Sequence, residues 1–331
     1  MSDSTTVRPD RNILVTGASG FIGQALCRRL RASGHRVRAL LRSPQQGIWD
    51  ESVACELGRE APPLGAMDGI DTVFHLAGVA HTCGVPDDLY RQVNVEGTRA
   101  LLEVALLAGV KCFVYFSSVK AVADPPSERC VDESWLELPT DAYGRSKREA
   151  EELVLLAARE HGLHAVVLRP TLVYGHGVKG NMLRIIRLVA SGRCPPLPET
   201  GNCRSMVHVE DLVDLALKAA ASPTASGCCY IAADERLYST RELYLGLCEA
   251  LGRSVPGWQV PAGLVRFSGQ LGDLAGSLLR RPMPINSAMV SRLLDSACYS
   301  GKRAMDELAW RPRHDLLSSL PEMIAAWREE T

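Results

Sequence analysis

Tyr143 and Lys147 stand four residues apart at the start of "DAYGRSKREAEEL", residues 141–153, a stretch with the pattern of a soluble helix. Four residues is about one helical turn, so both side chains leave from one face. An ammonium held beside a phenol lowers the phenol's pKa from its usual value of about 10. That makes it a proton carrier for acid/base chemistry near neutral pH. Tyr and Lys fall at this spacing by chance in many helices, so the pair gains meaning only from what surrounds it.

A second chemistry is written in "TGASGFIG", which sets Gly17, Gly20 and Gly23 between an apolar run and a helical pattern. Missing side chains let backbone N–H groups approach a pyrophosphate, and the following helix N-terminus adds positive dipole. The spacing is G-x-x-G-x-x-G, not the commoner G-x-G-x-x-G. A tight turn without a ligand is the plainer alternative, and the alternating elements around it favour the dinucleotide. At the end of the second apolar run, an acid would bond the ribose hydroxyls of NAD. Leu41, Arg42 and Ser43 stand there instead. Arg42 suits a 2′-phosphate, so the expected cofactor is NAD or NADP, with NADP favoured.

The elements that must position these groups follow from periodicity. "NILVT", "HRVRALLR", "DTVFHLAG", "KCFVYFSS" and "AVVLRP" read as buried strands. "FIGQALCRRLRASG", closed by Gly34, and "DDLYRQVNVEGTRALLEVALLAG" read as helices. Strict alternation predicts an α/β fold, a doubly wound parallel-sheet Rossmann domain. Beyond about residue 175 prolines gather in "RCPPLPETGN" and helical patterns such as "VEDLVDLALKAAAS" dominate. The reading is a disordered tail over 1–10, a dinucleotide-binding Rossmann domain over 11–174, and a smaller, mainly helical substrate-binding lobe over 175–331 with segments returning to the sheet. Within that lobe, residues 263–281 place Leu264, Phe267, Leu271, Leu274 and Leu278 at helical spacing before two arginines. A membrane-skimming helix fits this pattern, and a helix packed into the lobe is the expectation.

Totals narrow the partners. Hydrophobic content of 46% and charged content of 23% suit a soluble globular protein. A net charge of -1 without a basic block argues against nucleic acid. No apolar run approaches the roughly 18 residues of a membrane span, so no integral membrane segment is expected. The start, "MSDSTTVRPD", has no apolar signal-peptide core. Eleven cysteines are scattered without a C-x-x-C pair, and are read as reduced, mostly buried thiols of a cytoplasmic protein. His75, His81, His176 and His208 lack metal-ligand spacing, so no metal is expected and His208 is read as structural. Glu151 and Glu152 are read as a polar helix face.

With these pieces in place, the chain resembles the extended short-chain dehydrogenase/reductase family, in its nucleotide-sugar epimerase/dehydratase branch. The motifs are "TGASGFIG", "HLAG" at 75–78, "NVEGT" at 94–98, "FSSVKAV" at 116–122, "YGRSK" at 143–147, "LRPTLVYG" at 168–175, "RSMVHVEDLVD" at 204–214 and "LAWRP" at 308–312. The resemblance implies that Gly17, Gly20, Phe21, Ile22 and Gly23 lie on the pyrophosphate. It sets Glu56 and Leu57 near the adenine, Leu76, Ala77 and Gly78 along the ribose side, and Asn94 and Pro170 among the cofactor residues, with Asn94 also supporting the central helix. Tyr143 and Lys147 match its catalytic pair, with Lys147 also bonding the nicotinamide ribose. Ser118, 25 positions before Tyr143, is the implied catalytic hydroxyl. Ser117 is the fallback and otherwise a substrate contact. Asn181 and Arg204 match positions that hold the activated sugar's diphosphate.

The implied activity is modification at C4 of a nucleotide-activated sugar. Foremost is a 4-epimerase of UDP-hexose or UDP-N-acetylhexosamine in bacterial surface polysaccharide synthesis. The alternative is an NADPH-dependent 4-keto reductase of a UDP-4-keto-6-deoxy-N-acetylhexosamine. A non-catalytic dinucleotide-binding sensor or assembly protein is the competing class, and the Tyr/Lys pair weighs against it. The family's usual subunit packing implies a homodimer.

Overall fold

The computed structural model describes residues 11–80, 85–125, 129–192, 194–255, 257–279, 283 and 286–329. The expected tail over 1–10 and His81 lie outside the described residues. Seven strands form one parallel sheet: β1 (Asn12–Thr16), β2 (Arg36–Leu41), β3 (Glu51–Ala54), β4 (Thr72–His75), β5 (Cys112–Phe116), β6 (His164–Pro170) and β9 (Cys229–Ala232). Their order is β3-β2-β1-β4-β5-β6-β9. Strand order therefore reverses between β1 and β4, which opens a crevice beyond their carboxyl ends. A separate pair, β7 (Leu172–Tyr174) with β8 (Met206–His208), is also parallel. The doubly wound parallel architecture expected from the alternation is the one found.

Each central strand is apolar throughout because both faces are covered. Val15, Val114 and Val166 point into one layer with Leu26 and Leu30 of α1 (Phe21–Ala32) and Leu212 and Leu215 of α6 (Val209–Ala221). Their neighbours Leu14, Phe113 and Val167 point into the other, with Leu101 of α3 (Gly97–Leu107) and Val154 of α4 (Ala142–His161). A third core gathers α5 (Gly180–Ala190), α7 (Thr240–Ala250) and α11 (Leu316–Glu329) into the second lobe. The expected helix before Gly109 runs without a break, α2 (Asp87–Tyr90) passing through a π-helical segment, Arg91–Glu96, into α3.

Three expectations change. Cys130 and Cys298 form a disulfide across 168 positions, so the thiols are not all free; only folding brings these two distant positions together. Cys27, Cys55, Cys112 and Cys248 are buried free thiols, as their apolar settings imply. The helix α8 (Ala262–Leu279) is not packed by its large side chains, since Gly269 is its one buried residue. His208, Asp211 and His314 gather within 4.8 Å despite their sequence spacing. Both Asp211 oxygens are occupied by His314, through its backbone N–H and ring Nδ1, each at 3.0 Å. His208 accepts from Glu210 N and so caps α6, a structural task.

Glu151, read as part of a polar face, is 1% exposed and lies under the sheet edge. Arg169 on β6 donates to it twice, Nε to Oε1 at 2.8 Å and Nη2 to Oε2 at 2.6 Å. Ser117 Oγ adds a third bond to Oε1, at 2.6 Å. This bidentate pair ties α4 to β5 and β6. Glu152, one residue on, is a surface partner of Arg148 at 3.1 Å. We expect Glu151→Gln to cost about 3–5 kcal/mol in chemical denaturation, because it strands a buried guanidinium. Glu152→Gln should cost no more than about 1 kcal/mol. Equal losses in the two variants would remove the buried pair from its place in the fold.

Candidate active site

The glycine turn between β1 and α1 is shaped by close approach. Gly17 has φ 68°, and a Cβ there would sit 2.8 Å from Ala77 N. A Cβ on Gly23 would meet Gly17 O at 2.2 Å, so the helix can begin only against a bare turn. Gly20 N donates back to Gly17 O at 2.9 Å. Gly20 is the N-cap residue and supplies no side-chain cap, which leaves the first-turn N–H groups of α1, at Phe21 and Ile22, facing the crevice end of the sheet. This cradle fits a pyrophosphate.

Behind it a buried polar relay joins the ends of β1 and β4. Thr16 Oγ1 accepts from Leu76 N and Ala77 N at 3.1 and 3.0 Å and bonds His75 Nδ1 at 2.7 Å. His75 Nε2 continues to Thr98 Oγ1 at 2.9 Å. Burial is the main cause that pushes His75 down to about 3, so the ring stays neutral. Asn94, which the resemblance sets among the cofactor residues and also as a support of the central helix, makes that second kind of contact. Its Oδ1 accepts from Val79 N at 2.8 Å, and its Nδ2 donates to Val79 O at 3.2 Å and Ser146 Oγ at 2.9 Å. It clamps the loop after Gly78 to α4. Sequence alone could not separate those two tasks for an asparagine.

Other expected cofactor residues are spread along the same edge. Arg42 is exposed immediately after β2. Glu56 pairs with Arg59 at 3.1 Å, whereas Leu57 is buried in the core. Pro170 is buried at the carboxyl end of β6, in register with Ala232.

The pair that opened the sequence reading lies on the first turns of α4. Asp141 caps this helix through Gly144 N at 2.9 Å, and Gly162, at φ 65°, ends it. The Ser118 side chain lies beside Tyr143 and acts to lower the phenol's pKa. The net shift is nonetheless upward: burial is the largest cause, and Asp141 and Tyr90 add to it. The expected depression by Lys147 is absent for a physical reason. Burial pulls Lys147 itself down to about 7, with Glu151 opposing, so at neutral pH its amine is only partly charged. Lys147 Nζ donates to Phe116 O at 2.7 Å and lies 4.4 Å from the centre of the Tyr115 ring.

Ser118 is the hydroxyl beside Tyr143, and it also accepts from Lys120 N at 3.1 Å. Ser117 is not available as a substrate contact, because its proton goes to Glu151.

The loop that presents Ser118 reaches the second lobe. Lys120 pairs with Asp124, and Tyr299 Oη lies 3.5 Å from the same Asp124 Oδ1. Arg204 is held by reciprocal backbone bonds with Tyr238, at 2.9 and 3.1 Å. Burial lowers the pKa of its guanidinium, opposed by Asp124, Asp295 and Tyr299. Bridges from Val131 to Tyr299 and from Ala297 to Arg204, together with the Cys130–Cys298 disulfide, fix both strips of chain side by side. Ser118 and Arg204 therefore belong to one constellation. Asp124 and Tyr299 were missed because neither stands in a motif. Asn181 is exposed on the first turn of α5, its Oδ1 3.5 Å from Arg184 Nη1.

Comparison with known proteins adds to this geometry. A family model described as the NAD dependent epimerase/dehydratase family matches residues 13–229. A UDP-glucose 4-epimerase from Vibrio cholerae is 31% identical over 333 residues, covering 96% of this chain and 95% of the relative. An Escherichia coli O157:H7 N-acetyl-α-D-glucosaminyl-diphospho-ditrans,octacis-undecaprenol 4-epimerase is 27% identical over 286 residues, covering 85% of each. Among solved structures, MoeE5 in complex with UDP-glucuronic acid and NAD superposes with a TM-score of 0.75 at 26% identity, covering 97% of this chain and 100% of that one. The bare glycine cradle, Ser118 set beside Tyr143 and a match across most of the chain lead to one assignment: this protein belongs to the NAD-dependent epimerase/dehydratase family of enzymes.

Proposed function

We propose that this enzyme inverts C4 of a UDP-hexose or UDP-N-acetylhexosamine. The observation that carries the reading is that folding sets Ser118, at the end of β5, beside Tyr143 and the buried Lys147 at the start of α4, with Lys147 Nζ 2.7 Å from Phe116 O. When bound, the nicotinamide supplies a reversible hydride store. The chain's own residues handle the proton and the orientation. Ser118 holds the reacting oxygen, Tyr143 takes and returns the proton at that oxygen, and Lys147, one helical turn on, is positioned through Phe116 O to support the phenol. Gly17, Gly20, Phe21 and Ile22 would hold the pyrophosphate through backbone N–H groups. Arg204 is the diphosphate anchor, since a planar guanidinium matches paired phosphate oxygens and the side chain is half-buried, open to a ligand. An anchor at the diphosphate leaves the sugar ring free to present either face.

A second reading rests on Arg42, exposed where an acid would bind the NAD ribose. It favours NADP(H), and with it the one-way reduction of a 4-keto sugar nucleotide. The two readings separate in one experiment. The purified protein is incubated with UDP-glucose or UDP-N-acetylglucosamine without reductant, and the C4 epimer is sought by NMR. Epimer without net cofactor change supports the first reading; no epimer, together with stoichiometric NADPH loss on a 4-keto substrate, supports the second.

Two substitutions test the roles. Tyr143→Phe removes the proton carrier and should lower kcat by about 10²–10⁴-fold while cofactor affinity changes little. An unchanged kcat takes Tyr143 out of the chemistry. Arg204→Ala should weaken sugar-nucleotide binding by about 10–100-fold, the worth of a charge-assisted hydrogen bond. Cofactor binding, read by fluorescence titration, should hold; parallel loss of both ligands would mean that Arg204 acts on the fold.

A further inference from the structure

The helix α8 is built inside out. Its small residues face inward: a Cβ on Gly269 would lie 3.0 Å from Val290 Cγ2 and 3.1 Å from Ser287 Cα, both on α9 (Ser287–Leu294). Gly272 and Gly276, within about 60° of Gly269 around the helix, are partly covered. The large apolar residues face out. Leu264, Phe267, Leu271, Leu274 and Leu278 are 60%, 55%, 50%, 69% and 84% exposed. At 3.6 residues per turn these five fall within about a quarter of the helix circumference. Trp258, in the loop just ahead, is also exposed. An ordinary surface helix does the reverse, burying its large apolar stripe. A continuous apolar face of this kind marks an interaction surface.

Charge identifies the occupant. Residues 253–295 carry five arginines, at 253, 266, 280, 281 and 292, against two acids, Asp273 and Asp295, the latter paired with Arg266. The Asp273 carboxylate is already engaged by Ser287 N, at 3.3 Å to each oxygen. A second copy of the chain is a poor match, because a two-fold contact sets this cationic segment against itself. An anionic bilayer satisfies both properties at once, accepting the apolar stripe below its headgroups and attracting a segment with an excess of arginine.

We propose that the outward face of α8 docks the enzyme on an anionic phospholipid surface. The helix also connects to the candidate site. Arg266 pairs with Asp295 at 2.8 Å, and Asp295 is one of the acids around Arg204. Docking therefore sets the diphosphate anchor near the membrane face. The proposal is independent of the sugar reading, because binding is measured without substrate.

The test is co-sedimentation of the full chain with vesicles of phosphatidylcholine alone, and of phosphatidylcholine mixed equally with phosphatidylglycerol. Binding should favour the mixed vesicles and weaken by about tenfold or more in about 0.5 M salt, where surface charge is screened. The double variant Leu271→Asp/Leu274→Asp should lose about tenfold or more in vesicle affinity, with thermal midpoint and turnover of a soluble sugar nucleotide unchanged. Leu278→Asp, at the most exposed of the five positions, gives the same readout should the double variant fold poorly. Absence of vesicle binding by the wild-type chain overturns the proposal. So does a wild-type dimer that the double variant converts to monomer, which would assign the face to self-association.

Discussion

The candidate site depends on one buried ion pair, Glu151 with Arg169. The helix α4 carries Tyr143 and Lys147 on its first two turns, and apolar packing of Ala150 and Val154 alone would let it slide or roll on the sheet. Two parallel N–H···O bonds fix both the height and the rotation of one turn against β6. Ser117 extends the tie to the end of β5, the residue before the hydroxyl that meets Tyr143. The pair thus sets the separation between two chemical groups that it does not touch. Burying two charges to do so is costly, and the return is geometric definition rather than net stability.

A second constraint binds the lobes. The loop after β5 begins at Ser118 and ends at Cys130 and Val131, which are held against Cys298 and Tyr299. Arg204 is bridged to Ala297 in the same strip. A substrate that bonds Ser118 with its sugar and Arg204 with its diphosphate spans two elements already joined covalently and by backbone.

Much of this was legible in the residues, and the misses have physical causes. Strand and helix alternation over the first 170 residues follows from period and glycine punctuation, so the sheet and both its layers could be read. The glycine cradle could also be read, because only a missing Cβ permits Gly17 and Gly23 to approach as they do. What escaped were partnerships that depend on third parties. Glu151 looks polar until Arg169 arrives from β6; Ser117 looks like a ligand until its hydrogen bond is counted. Cys130 and Cys298 carry no spacing signal at all. In α8 the apolar period was visible, but period cannot say which face of a helix meets the protein when the opposite face is made of glycine and alanine.

Burial leaves the site with an inverted order of proton affinities. Desolvation disfavours every charge, so it raises the Tyr143 phenol and lowers Lys147 to about 7. Glu151 partly restores the amine, and Ser118 partly restores the phenol, yet neither reverses the trend. In the ligand-free chain burial therefore favours the protonated phenol and weakens the charge on the amine. Positive charge brought in beside Tyr143 favours release of the phenol's proton, and a dry pocket makes that added charge count for more than it would in water. The same burial that favours the proton on the ligand-free phenol is what lets an arriving cationic group draw it off.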